Sequence, residues 1–273
     1  MVIYSSAFNL LKNSYDYLEP IDNFCSFADK VFIAVNKSED DTLIELVKLT
    51  SKYKNLSIIP TDILYDDPLI DGKVKNAALQ FAEENSESEY FIGCDLDETL
   101  PLEHKDRWRY LAQLFLDYYK WDAILAPSID LWGSKETVRW EVGNNRKYKF
   151  YLHRRGLMRG PVHWGLTSQG YLDLSKSDGC DLIKKDSKEL AYAPRIDGHL
   201  DNITDCAEYY SKIHDELIYV VHHGNEDLER KAFRNKQFWF KNWNNSSGRT
   251  DVVVETKLED YPQYNLGNHG LNL

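Results

Sequence analysis

Apolar positions in the first hundred residues alternate between two spacings. Val2 to Phe8 is a short, nearly continuous apolar run and predicts a buried strand, as do Val31 to Asn36, Leu56 to Pro60 and Tyr90 to Cys94. Between them the apolar residues recur at helical spacing. Ser14 to Ala28 predicts a helix, and Asp41 to Tyr53 predicts a second one with Leu43, Leu46, Val47 and Leu49 on its apolar side. Gly72 to Glu84 predicts a third, carrying Val74, Ala77, Ala78 and Phe81. Strand and helix in strict alternation imply an α/β fold: a mostly parallel sheet covered by helices on both faces, joined by right-handed crossovers. In such sheets ligands gather at the carboxyl ends of the strands.

The regularity weakens after residue 100. A helix is expected from about Glu103 to Tyr119, a strand from Ala123 to Leu131, and then a Trp- and Arg-rich stretch from Trp132 to Trp164. Further on come a helix from Asp205 to His214, a strand from Leu217 to His222 and an aromatic-rich helix from Glu226 to Trp243, closed by Asn244-Asn245-Ser246-Ser247-Gly248. The pattern divides the chain into a regular half (1–100), an irregular half of the same domain (101–224), and a C-terminal helix and arm (225–273). A half that departs from βα repetition is the place for substrate choice.

Composition narrows the partners. A formal net charge of -11 argues against general binding to nucleic acid or to an anionic membrane. The 36 aromatic residues, 18 Tyr, 11 Phe and 7 Trp, argue against disorder over most of the chain. Cys25, Cys94, Cys180 and Cys206 show no metal or disulfide spacing, so reduced thiols in a cytoplasmic setting are expected. No uncharged apolar run is long enough to span a bilayer, and no early basic segment leads into a signal-type apolar stretch. Oligomeric state has no signature here.

The chemistry concentrates where the fourth strand ends, at Gly93-Cys94-Asp95-Leu96-Asp97-Glu98-Thr99-Leu100. Side chains two apart on an extended chain point the same way, so Asp95 and Asp97 can share one ion. Their oxygens suit a hard cation, Mn²⁺ or Mg²⁺, which keeps positions open for substrate phosphates. Arg154, Arg155 and Arg159 supply guanidinium forks that match a diphosphate or an acidic acceptor.

Three βα units, the third with its helix starting at Gly72-Lys73-Val74-Lys75-Asn76-Ala77, then an apolar strand running into Asp95-Leu96-Asp97, resemble the nucleotide-binding half of GT-A-fold glycosyltransferases, the family-2-like group in particular. The resemblance is good over about residues 1–100 and loose beyond. It implies a Rossmann-like GT-A domain that transfers a sugar from a nucleoside diphosphate donor, UDP-linked, to a carbohydrate or other hydroxyl acceptor. By the same resemblance Asp95 and Asp97 contact the metal or the ribose, with Asp97 the more direct ligand. Ser5, Ala7 and Asn36 face the nucleotide, and Lys73 meets phosphate or sugar. Arg155 is the arginine taken for the donor diphosphate.

Three later segments extend that expectation. Arg159-Gly160-Pro161-Val162-His163-Trp164 is similar to an acceptor-side segment in which Val-His is followed by Glu; Trp164 stands there instead, which leaves His163 a substrate contact and removes a base. In Ile218-Tyr219-Val220-Val221-His222-His223-Gly224 the resemblance implies a third metal ligand, and alternation lets one histidine point inward, His222 in preference to His223. Asp197 and Asp201, in an acidic loop, are the candidates to activate an acceptor hydroxyl. Trp132, Trp140 and Trp164 could stack on sugar rings.

Two rival readings remain open. Asp95-Leu96-Asp97-Glu98-Thr99-Leu100 also resembles the first motif of haloacid-dehalogenase-type phosphatases, with Asp95 as nucleophile and Asp97 as acid/base. As a string that match is the more complete, but the motif closes the first strand of its domain in that family, and here three βα units precede it. The other rival is a nucleotide-sugar-binding protein without transfer activity.

Overall fold

The computed structural model describes residues 1–64, 70–118, 122–131, 133–135, 137–139, 147–159, 182–184, 218–230 and 263–265. The regular half folds as β1 (Val2–Ala7), α1 (Leu18–Phe27), β2 (Lys30–Asn36), α2 (Thr42–Leu49), β3 (Leu56–Thr61), α3 (Ile70–Glu84) and β4 (Tyr90–Gly93). It is followed by β5 (Glu98–Thr99), a short 3₁₀ turn (Leu102–His104), α4 (Lys105–Leu111) running into a π-helical stretch (Ala112–Tyr118), and β6 (Ala123–Asp130). The remaining described strands are β7 (Thr137–Arg139), β8 (Lys147–Arg154), β9 (Leu157–Arg159), β10 (Leu182–Lys184), β11 (Val220–His222) and β12 (Gln263–Asn265).

Eight of these share one sheet in the order β3-β2-β1-β4-β8-β6-β11-β5. The β1, β2, β3 and β4 pairings are parallel; β8 lies antiparallel between β4 and β6, and β11 runs parallel to β6. Six strands therefore point one way, and β5 and β8 run against them. The α/β expectation holds, and strands from both halves of the chain join in the one sheet.

Each face of the sheet has its own helices. Ile3, Ile33, Ile92, Ile124, Leu152 and Val220 pack against Ile21, Phe24 and Phe27 of α1, Leu46 of α2 and Trp108 and Leu111 of α4. On the other face Val2, Tyr4, Phe32, Ala34 and Phe91 meet Val74, Ala78, Leu79 and Ala82 of α3, spaced to form one helical stripe. Each large apolar side chain so buried contributes about 1.5–3 kcal/mol.

Helix ends differ from expectation for local reasons. α1 starts four residues late because the chain turns first, with left-handed backbone at Asn9 (φ 46°) and Ser14 (φ 55°). α2 stops at Leu49, where the Thr50 and Ser51 hydroxyls donate back to the Val47 and Lys48 carbonyls, 2.8 and 2.7 Å. The helix expected over 103–119 divides into three forms, and its π-helical part keeps Phe115 and Leu116 on the core. β8, inside the Trp- and Arg-rich stretch, was not expected as a strand. Tyr151, Leu152 and His153 are buried in succession there, so this part of the strand lacks the alternation of a half-exposed one.

β8 is fixed by a buried polar contact. His153 Nδ1 donates to the Arg154 carbonyl at 2.7 Å, and its Nε2 shares a hydrogen bond of 2.8 Å with the Tyr4 hydroxyl. The Phe91 ring stacks on the same imidazole, 6.0 Å between centroids. Among the described residues no helix is long and apolar enough to cross a membrane.

Candidate functional site

The carboxyl-end rim is closed by a turn that a buried carboxylate holds in shape. β4 ends at Gly93, and Glu98 N donates to the Asp95 carbonyl at 3.1 Å, closing a turn over Asp95–Glu98. The Glu98 side chain, 1% exposed, folds beneath it: Oε2 accepts from Asp95 N and Oε1 from the Tyr151 hydroxyl, both at 2.8 Å. A carboxylate this deep is tolerated because both oxygens are hydrogen-bonded. β5 then pairs antiparallel with β11, with Thr99 opposite Val221 and Glu98 opposite His222. His223 N donates to the Asp97 carbonyl at 2.7 Å. Residues more than a hundred apart in sequence are thereby stitched together at one point.

The side chains at that point are Asp97 and His222, with Oδ2 and Nε2 3.5 Å apart and only 18% and 14% exposed. Two donors cis to each other on a cation with bonds of 2.0–2.1 Å stand roughly 3 Å apart, so this pair fits two ligands of one Mn²⁺ or Mg²⁺ ion. A Cβ at Gly224 would come within 2.5 Å of His222 Cε1 and Nε2 and 2.9 Å of Asp97 Oδ2. Glycine is required there for the imidazole to keep its place. The neighbouring His223 turns elsewhere, its Nε2 2.8 Å from the Thr99 hydroxyl and its Nδ1 2.8 Å from Glu226 Oε2. Of the two histidines, His222 is the one that faces Asp97.

Asp95 meets a different partner. Lys75 Nζ lies 2.5 Å from Asp95 Oδ1, the two side chains being 18% and 31% exposed. Lys75 continues the buried stripe of Ala78, Leu79 and Ala82 along α3 towards its N-terminus, which brings its ammonium to the rim. No group of three or more Cys, His, Asp and Glu side chains able to hold a metal occurs among the described residues. A cation here would thus take two protein donors and complete its shell with water and substrate oxygens, the usual habit of Mg²⁺.

The other candidates fall in different places. Ser5 is fully buried, with no hydrogen-bond partner for its hydroxyl among the described residues, and Ala7 is 4% exposed on the face that packs against α1 and α2. Asn36 is 1% exposed and its amide is engaged in holding the chain after β3: Nδ2 donates to the Ile63 carbonyl at 2.9 Å, while Oδ1 accepts from Thr61 Oγ1 and Ile63 N at 3.0 and 2.8 Å. Lys73 lies on the exposed side of α3. Arg155 is at the opposite rim, beside the start of β4. It donates to the carbonyls of Glu83, Ser86 and Ser88 at 2.5, 2.6 and 2.8 Å and so closes the C-terminal end of α3. About five residues of extended chain, roughly 16 Å, separate it from Asp95. Its donors are engaged by the last turn of α3 and the chain after it, away from the rim that carries Asp95. Arg154 is on the same rim, donating to the Leu116 carbonyl. His163, Asp197, Asp201, Trp132, Trp140 and Trp164 lie outside the described residues, as does the side chain of Arg159.

Sequence reasoning missed Lys75, Glu98 and Gly224. Lys75 was detectable from its place on the apolar stripe, which Lys73 does not share. Glu98 and Gly224 carried no such signal, since their roles arise from the pairing of β5 with β11.

Behind the rim, burial, and next the Arg107 charge, hold the His104 imidazole below its ordinary value of 6.5; its ring packs edge-on against Tyr219 at 4.9 Å. Burial likewise pushes the Tyr219 hydroxyl up to about 12. Both groups are neutral near pH 7 and support β11 from below.

No family model matches the chain, and no curated protein does. Among solved structures it is similar to Staphylococcus aureus TarS 1–349, with 16% identity and a TM-score of 0.41, over 95% of this chain and 76% of that one. The same TarS fragment in complex with UDP-GlcNAc aligns with 17% identity and a TM-score of 0.41, over 95% and 76% of the two chains. A nucleoside-diphosphate-sugar pyrophosphorylase from Vibrio cholerae RC9 aligns with 11% identity and a TM-score of 0.30, over 53% of this chain and 63% of that one. Superpositions this loose assign no activity.

Proposed function

We propose that this chain is a GT-A-type glycosyltransferase that moves a sugar from a nucleoside diphosphate donor, UDP-linked, to a hydroxyl acceptor, with Mn²⁺ or Mg²⁺ bound. One observation carries the reading. Asp97 and His222 face each other at 3.5 Å on the carboxyl-end rim of the mostly parallel sheet, where the chain leaves β4 next to β1. In this reading Asp97 and His222 hold the cation, and Asp95 contacts the cation or the ribose. When bound, the cation would neutralise charge growing on the departing nucleoside diphosphate. Glu98 keeps the turn rigid, and Gly224 leaves the imidazole its space. An acceptor hydroxyl attacking the anomeric carbon with inversion must lose its proton to a base, for which Asp197 and Asp201 remain the candidates, with His163 as a substrate contact.

The phosphatase reading loses support from position: Asp95 follows the fourth strand of the chain, and β4 has the antiparallel β8 as a neighbour. A screen of nucleoside diphosphate sugars with Mn²⁺, reading free nucleotide, tests the proposal. Release from a UDP-sugar supports it. Hydrolysis of a generic aryl phosphate, with no release from any donor, would favour the phosphatase.

A further inference from the structure

We infer that Lys75 couples the two ligands of this site, weakening the cation alone and making cation and nucleotide strengthen each other; the inference rests on the transferase reading. The Lys75 ammonium is 2.5 Å from Asp95, and Asp95 is two residues from Asp97, which with His222 forms the two-donor cradle. Lys75 and a divalent cation in that cradle are like charges whose carboxylate partners, Asp95 and Asp97, sit two residues apart in one turn. All four side chains are largely withdrawn from solvent, so salt screens the repulsion poorly. An ion entering alone meets the ammonium and cannot recruit Asp95 without displacing it. A nucleoside diphosphate changes the balance, since its anionic oxygens can face both cations at once and the ammonium can turn from the carboxylate to phosphate. Lys75 in this account opposes the first ligand and favours the pair. Linkage then requires that the nucleotide raise cation affinity by the same factor as the cation raises nucleotide affinity.

The test is calorimetric titration of Mn²⁺, alone and with saturating UDP, into wild type and variants. The binding scored is the part removed by Asp97→Ala. Lys75→Met should bind Mn²⁺ alone more tightly, by about 5- to 150-fold, the usual span of coupling between sites, and the gain on adding UDP should shrink by a similar factor. Lys75→Arg keeps the charge and should behave as wild type. Asp95→Asn leaves the ammonium uncompensated and should weaken Mn²⁺ alone, an effect that Lys75→Met in the same chain should largely remove. Unchanged melting temperatures identify variants that fold. Wild type that binds Mn²⁺ and UDP while Lys75→Met shows equal or weaker Mn²⁺ affinity, or undiminished coupling, overturns this inference and leaves the transferase reading standing. Wild type that binds neither ligand overturns both.

Discussion

The two rims of the sheet both carry charged side chains, and they use them differently. At the amino-end rim Arg155 meets one carbonyl in the last turn of α3 and two in the chain that follows it, Arg154 meets the Leu116 carbonyl, and Tyr90 donates to Asp117. At the carboxyl-end rim the Asp97 and His222 side chains face each other across 3.5 Å, in room that Gly224 leaves them by having no Cβ. The first arrangement closes gaps in the backbone's own hydrogen bonding. The second concentrates donor atoms suited to a cation. Charge type alone does not separate binding from architecture; the neighbouring backbone does.

The largest effect should come from the second rim. Asp97→Ala removes a cradle donor and is expected to abolish metal-dependent UDP binding, seen as loss of calorimetric heat, while the melting temperature moves little. Unchanged affinity would move the cation elsewhere. The histidine pair sharpens the contrast: His222→Ala should weaken Mn²⁺ binding by about 10-fold or more, and His223→Ala by less, because His223 bonds Thr99 and Glu226 rather than facing Asp97. The reverse order would exchange their roles.

At the amino-end rim the expected effect is on stability. Arg155→Ala leaves three carbonyls without their charged donor and should cost about 1.5–3 kcal/mol by urea unfolding, with UDP affinity unchanged in the folded protein. Loss of UDP binding in a stable Arg155→Ala variant would erase the distinction between the rims. The smallest effect concerns pH. The folded His104 pKa lies below the unfolded value, so its contribution is fully present above about pH 6.5 and is lost as pH falls through the lower folded value. Melting temperature should therefore fall on acidification below pH 6.5, and less so in His104→Asn. Equal pH dependence in both proteins would remove His104 from the account.

The regular half was legible in the sequence because its strands and helices follow one another along the chain. Local periodicity identifies Val2–Ala7 or Ile70–Glu84 without knowledge of any partner, and Asp95-Leu96-Asp97 announces itself as an acidic pair closing an apolar run. The irregular half was less legible because its elements are defined by distant pairings. β8 is a central strand buried at three successive residues, Tyr151, Leu152 and His153, so that stretch carries no alternation, and β5 is two residues long and exists only because β11 pairs with it. Arg155 shows the same dependence: a guanidinium suits phosphate and backbone carbonyls equally, and only the chain at and after the end of α3 decides what it meets here. Lys75 is the opposite case, since helical spacing alone puts it in line with Ala78, Leu79 and Ala82 and on the rim side of α3.

The central claim is that the rim around Asp97 and His222 takes a nucleoside diphosphate together with a divalent cation. Thermal unfolding with UDP and Mn²⁺, separately and combined, tests it most directly. A ligand at a hundred times its Kd stabilises by about 2.7 kcal/mol, and each kcal/mol raises the melting temperature by about 2–4 °C for a domain of this size. The combined ligands should therefore give a rise of roughly 5–11 °C, larger than the sum of the separate shifts. No rise with UDP and Mn²⁺ together, at millimolar concentrations of each, would contradict the claim.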